Sequence, residues 1–279
     1  MHTRRPLWLS SSVLSGTLIV ALLSLLVSGD SGKAFGLLHP LIVQRQTATP
    51  TEMPPFTPTP IPPTPTPTPP PPLVYLAAHG NQHLPEIALT FDDGPSPGYT
   101  DAILAILHLH RVRATFFMLG VWVQRYPDLA RAVVRSGCAV GDHTWGHPDL
   151  TRLSNDQIIW QLTTTRDTIQ QVTGVRPTLF RPPYGAYTFR VLDIAASLKL
   201  SSIVWNVDPK DWARPGSDAI INRVLSTTQN GSIILLHDGG GNRSQTIAAL
   251  PTIIEQLEAR GFVFVTIPEL LSHLASTGA

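Results

Sequence analysis

From Leu73 onward, short apolar runs alternate with longer segments whose apolar residues recur at helical spacing. The runs occupy 86–91, 114–119, 138–141, 178–180, 201–207, 232–236 and 262–267, and they predict seven strands. Helices are predicted between them, for example Asp101 to His110, Asn155 to Val172 and Gln245 to Arg260, the last stopped by Gly261. Strand and helix repeating through about 200 residues imply a mostly parallel sheet covered by helices, closed like a barrel or open and doubly wound. No glycine-rich dinucleotide or phosphate loop follows the first run. Polar residues gather instead just after several runs, where a parallel barrel places its active site.

The first 72 residues follow other patterns. Arg4 and Arg5 precede an uncharged stretch from Leu7 to Gly29, whose 23 residues can cross a hydrocarbon core with the amino terminus inside. Residues 1–32 are therefore read as a cytoplasmic tip and signal-anchor helix, with cleavage after Val27-Ser28-Gly29 as the rival. Either outcome exports the remainder. Residues 33–72 form a linker, almost wholly Pro and Thr from Thr47 to Pro72. Such a composition favours extended polyproline II and a disordered spacer, reaching roughly 80 Å at about 3.1 Å per residue. Residues 73–279 then form the domain built from the alternating runs.

Charge and cysteine narrow the classes. The net charge is +1, but Arg4, Arg5, Lys33 and Arg45 against Asp30 and Glu52 leave 16 basic and 17 acidic residues after residue 72. No basic field remains for nucleic acid. A single cysteine, Cys138, excludes an intramolecular disulfide and a multi-cysteine zinc site. No obligate protein partner is evident.

The first run ends in Phe91-Asp92-Asp93-Gly94-Pro95. A strand closing on two carboxylates and a Gly-Pro break delivers both acids to a loop, where one can hold a metal while the other handles protons. After the third run comes Asp142-His143-Thr144-Trp145-Gly146-His147. Two histidines four apart meet on a helical turn or a tight loop, and a carboxylate from elsewhere completes a three-ligand site with an open position for water. The fourth run leads into Arg181-Pro182-Pro183-Tyr184, where the prolines fix the backbone so that the Tyr184 amide can face an anion and Arg181 a carboxylate. The fifth leads to Asp208-Pro209-Lys210-Asp211-Trp212 and the sixth to Leu235-Leu236-His237-Asp238. A histidine at the end of so apolar a strand needs a partner, and Asp211 can supply it.

These five segments, in this order, resemble the polysaccharide deacetylase family, also called the NodB-homology domain or carbohydrate esterase family 4. The resemblance covers roughly residues 84 to 270. It implies a distorted (β/α) barrel that removes acetyl groups from N-acetylated sugars or from acetylated xylan with one divalent metal: zinc, or cobalt, nickel or manganese on the same ligands. Carried over residue by residue, it makes Asp93, His143 and His147 the metal ligands and Asp92 the catalytic base, supported by Arg181. It gives the oxyanion to the Tyr184 amide, a pocket wall to Trp212, the acetyl methyl to Leu235, and the acid to His237 oriented by Asp211. One departure precedes the metal motif: Cys138, Ala139 and Asp142 replace the usual His, Glu and Asn. An acid at Asp142 either holds a histidine ring more strongly than an amide would or disfavours the anionic site. Anchor and spacer together point to N-acetylglucosamine in peptidoglycan as substrate, ahead of chitin-like polymers and acetylxylan. A non-catalytic wall-binding module and an amidohydrolase acting on small cyclic amides are the rivals.

Overall fold

In the computed structural model the described residues are 73–274. The anchor and linker lie outside them. Among the described residues no helix is long and apolar enough to cross a membrane.

All seven predicted strands form, and all pair in parallel: β1 Glu86–Asp92, β2 Thr115–Met118, β3 Ala139–Asp142, β4 Leu179–Phe180, β5 Ser201–Ser202, β6 Ile233–His237 and β7 Val263–Phe264. The order across the sheet is β5-β4-β3-β2-β1-β6, and β7 takes the start of β1 through Glu86 and Ile87. Among the described residues eight α-helices cover it: α1 Tyr99–His110, α2 Gly120–Arg125, α3 Pro127–Arg135, α4 Asn155–Thr173, α5 Phe189–Ser197, α6 Ser217–Thr227, α7 Ser244–Ala259 and α8 Ile267–Ser272. The segment α4 starts where Ser154 and Gln157 cap each other's backbone N–H groups and stops at Gly174 in the left-handed region.

The architecture is a half-barrel. Its ladder runs from β5 to β6, and the remaining gap is bridged by the run predicted as one strand over 201–207. Only Ser201 and Ser202 pair with β4; Ile203 then bridges to Ala77, and Val207 to Ile234 of β6. The cause lies in the neighbour. Pro182 and Pro183 end β4 after two residues by removing its donors, so β5 has nothing further to pair with and crosses to the far edge. The last run is also shorter than predicted, because Thr266 and Glu269 cap α8 immediately after it.

Alternation along the strands sorts side chains between helices and interior. Ile87, Leu89 and Phe91 join Ile234, Leu236, Phe116 and Met118 in the core beneath α1, α3, α6 and α7. Ala88, Phe117 and Ile233 belong to the inner cluster, so Thr90, Asp92, Leu235 and His237 face inward with them. The outer core is dense: Phe91 and Phe116 stack with centroids 5.0 Å apart. Phe116→Ala is expected to lower unfolding free energy by about 3–5 kcal/mol in urea denaturation, since it removes a buried ring from a site that cannot collapse.

Candidate active site

Parallel register places the carboxyl ends of the strands on one rim. Asp92 is level with Phe117 and with His237, and Asp142 with Met118 and Phe180. The strand ends at this rim and the segments that follow them carry every sequence-predicted site residue, with Asp92 on β1 and Leu235 and His237 on β6.

Asp92 ends β1 pointing inward, 2% exposed. Asp93 follows at φ 74°, a left-handed conformation that rotates its carboxylate away from its neighbour's path. The two acids thereby differ in their nearest partners, although Asp92 Oδ2 also lies 3.7 Å from His143 Nε2. Asp92 Oδ1 accepts from Arg181 Nη1 at 2.8 Å. Asp93 Oδ1 lies 3.5 Å from His143 Nε2 and 3.4 Å from His147 Nε2. The two histidines sit on a tight loop, not a helical turn: Thr144 and His147 have positive φ, the Asp142 carboxylate accepts the Thr144 N–H at 2.7 Å, and Thr144 Oγ1 accepts the His147 N–H at 3.0 Å.

One hydrogen bond sets the proton of His143. Its Nδ1 faces the Arg181 carbonyl at 2.8 Å and must donate, leaving the Nε2 lone pair toward Asp93. Asp93 Oδ1 is buried with no hydrogen-bond partner. Ligand atoms of Asp93, His143 and His147 lie within 4.8 Å of one another. Acceptors converging in this way fit a divalent cation of borderline softness. Burial opposes charge on Asp93, yet His143, His237 and His147 hold its carboxyl far below the ordinary range. Burial likewise opposes charge on His143, but Asp92 and Asp93 raise its pKa; burial and His143 lower that of His147.

Asp142 does not hold a histidine ring. Its carboxylate does not reach one, because the Arg181 carbonyl takes that position. Burial raises its pKa well above the ordinary value. Its Oδ1 organises the loop through the Thr144 amide.

Arg181 is fully buried, and its role goes beyond an ordinary salt bridge at a turn. The guanidinium lies 4.1 Å from the Phe117 ring centroid and 5.6 Å from that of Trp205. Nη1 donates to Thr90 Oγ1 at 2.7 Å as well as to Asp92. One residue therefore aims Asp92 with its side chain and His143 with its carbonyl. Burial lowers the guanidinium pKa and the Asp92 charge opposes that.

Across the site, Asp211 Oδ1 accepts from His237 Nδ1 at 2.7 Å. Its Oδ2 accepts the His237 backbone N–H at 2.9 Å and the Thr246 hydroxyl at 2.8 Å. Burial disfavours the imidazolium, but Asp211, together with Asp92 and Asp93, outweighs it and raises the His237 pKa. Tyr184, at φ 60°, sets its ring 4.5 Å from the His147 ring, edge to face. Leu235 and the half-exposed Trp212 complete the wall of a cleft of about 470 Å³, which Asp92, Asp93, His143, His147, Tyr184 and His237 also line. Arg181 and Asp211 stand behind it.

Several participants escaped the sequence reading. Trp205, Asp208 and Arg243 line the cleft, while Thr90 and Thr246 hold the two dyads from behind. Gly239 and Gly240 pack on the Asp93 turn: a Cβ on Gly239 would meet the Asp93 carbonyl oxygen at 2.1 Å, and one on Gly240 the Asp93 carboxylate. The glycine triplet 239–241 was the available signal, because a run of glycine after a strand marks close backbone approach. Buried Asp238, raised to about 7 by burial, accepts from Thr100 and fills the space against Gly94.

The polysaccharide deacetylase family profile matches residues 79–203. A peptidoglycan-N-acetylglucosamine deacetylase of Bacillus cereus is 40% identical over 189 residues, spanning 67% of this chain and 88% of that protein. The chain belongs to the polysaccharide deacetylase family. A second member, a chitooligosaccharide deacetylase of Azorhizobium caulinodans, is 37% identical over 206 residues, covering 69% of this chain and 97% of its own. The crystal structure of a peptidoglycan N-acetylglucosamine deacetylase bound to a naphthyl N-hydroxybenzamide superposes with a TM-score of 0.69 at 35% identity, over 71% of this chain and 92% of the other. This polysaccharide deacetylase is a hydrolase with the half-barrel of its family.

Proposed function

We infer that the enzyme hydrolyses N-acetyl groups of N-acetylglucosamine-containing polysaccharide, with peptidoglycan as its first substrate. The observation that carries this reading is the pair of dyads, Asp92–Arg181 and His237–Asp211, that present Asp92 and His237 to the same cleft as the Asp93, His143 and His147 cluster. Amide hydrolysis needs a base where water attacks and an acid where nitrogen departs, and one group cannot occupy both places at once.

Asp93, His143 and His147 would hold one divalent metal, zinc first and cobalt, nickel or manganese as alternatives; when bound it supplies Lewis acidity to the acetyl carbonyl and acidifies water. Asp92, aimed by Arg181, takes the proton of the water that attacks the carbonyl carbon. Negative charge moves to the carbonyl oxygen, where the Tyr184 amide donates; a single donor of this kind is worth about 2.7–4 kcal/mol in other hydrolases. His237 then gives its Nε2 proton to the nitrogen as the carbon–nitrogen bond breaks, and Asp211 stabilises the imidazolium beforehand. Leu235 packs on the acetyl methyl and Trp212 walls the sugar. Acetate and a glucosamine unit leave.

The membrane anchor at residues 1–32 and the spacer at 33–72 belong to the same proposal, since an enzyme held outside the membrane on a long tether reaches the wall. Acetate release from purified peptidoglycan, chitopentaose and acetylxylan tests the ranking. Release is expected from the first two, fastest from peptidoglycan. Release from acetylxylan alone would overturn the N-acetyl reading.

A further inference from the structure

The loop that carries the two histidines has a second side. Trp145 is half-buried and Trp160 of α4 is 51% exposed, and their rings meet edge to face at 6.0 Å. Beside them lies an open groove of about 400 Å³ lined by Pro148, Leu153, Asp156, Gln157, Trp160 and Gln161. Trp160 has no part in the helix's own packing: α4 buries Ile158, Leu162, Thr165 and Ile169, and Trp160 falls off that face. An indole left half in water in this way favours a ligand over a core role.

We propose that this groove is a subsite for a further sugar unit of the glycan strand whose acetamide reacts at the metal cluster. The inference rests on the function proposed above and adds where the strand runs. Three observations carry it. The groove starts on the loop that carries the site histidines, since His147 lines the cleft and Pro148, the next residue, lines the groove. Its chemistry suits a pyranose: the ring's C–H face stacks on the electron-rich indole face, and its hydroxyls need donors and acceptors at the rim. The rim has them. Gln157 uses its amide oxygen on the Ser154 N–H, and Gln161 uses its own on the Trp145 and Gly146 N–H groups, so both retain amide N–H donors, while Asp156 offers an acceptor. Finally, Gln161 ties the floor of the groove to the histidine loop, so the subsite and the metal cluster are held in one rigid frame.

The test compares N,N′-diacetylchitobiose with chitohexaose by titration calorimetry on the full chain, in the Asp92→Asn background to suppress turnover. The parent should bind the hexamer more tightly than the dimer. Trp160→Ala should cut that preference about tenfold, and Trp160→Phe should restore most of it, which a folding defect would not do. No hexamer preference in the parent, or one that survives Trp160→Ala, overturns the inference. Acetate release by the unmodified enzyme is read separately. Hexamer binding without acetate release would leave the subsite standing and remove the hydrolytic reading; acetate release with an undiminished preference in Trp160→Ala would do the reverse.

Discussion

Asp92→Asn is expected to keep the metal and lose about three orders of magnitude in turnover, whereas His143→Ala should lose the metal itself. The two acids are neighbours in sequence and both approach His143 Nε2, Asp93 Oδ1 at 3.5 Å and Asp92 Oδ2 at 3.7 Å, but Arg181 holds Asp92 and His147 faces Asp93. Asn at position 92 still offers an oxygen to Arg181 Nη1, where Asp92 Oδ1 now sits at 2.8 Å, so the side chain stays aimed. What it lacks is basicity, and removing a positioned general base costs 10²- to 10⁴-fold. The ligand set is untouched, because His143 takes its orientation from the Arg181 carbonyl and His147 is placed by the Thr144 loop. Folding should suffer as well. Arg181 is fully buried, and a guanidinium that loses its counter-charge destabilises by roughly 3–5 kcal/mol when no oxygen replaces it, less when an amide oxygen does. Metal content per folded protein, by plasma emission spectroscopy on the purified variants, separates the effects. Equal metal loss in both variants would mean that Asp92 is a ligand and that the roles of the two acids are reversed.

That asymmetry between Asp92 and Asp93 was legible in outline before the structure, since the order of five short motifs after five apolar runs is restrictive. The strands β1 and β6 were readable because long apolar runs needed no partner to declare them, and α4 because it has a capping box at one end and a glycine at the other. The brevity of β5 was not. Its length is decided by β4, which two prolines cut short, and a strand's partner is not written in its own residues. Asp142 failed for a related reason. A polar residue beside a histidine invites a side-chain contact, but the actual holder of the ring is the backbone carbonyl of Arg181, a group every residue type possesses. Thr90 and Thr246 gave no signal, because threonine on a strand or helix face is ordinary until the fold shows which carboxylate or guanidinium it touches.

His237→Ala is expected to slow N-deacetylation by at least about 10²-fold while costing far less on an activated aryl acetate. An amine leaves only when protonated, so amide cleavage needs the Nε2 proton of His237; an aryl oxide leaves without one, and the ester assay bypasses that step. Asp211 makes the proton available. Its Oδ1 accepts from Nδ1, which leaves Nε2 facing the cleft, and its charge raises the pKa of a ring that burial alone would depress. Asp211→Asn should therefore act in the same direction as His237→Ala but less severely. It carries a further signature. With the carboxylate gone the His237 pKa falls, so the imidazolium is lost at lower pH, and the alkaline limb of the amide pH–rate profile should move toward acid. The ester profile, which does not depend on that proton, should keep its alkaline limb in place. Paired pH–rate profiles of the parent and Asp211→Asn on a chito-oligosaccharide and on 4-nitrophenyl acetate measure both. Equal losses on amide and ester in His237→Ala, or an alkaline limb that does not move in Asp211→Asn, would assign the leaving-group proton to some other donor and leave the dyad a structural clamp on β6.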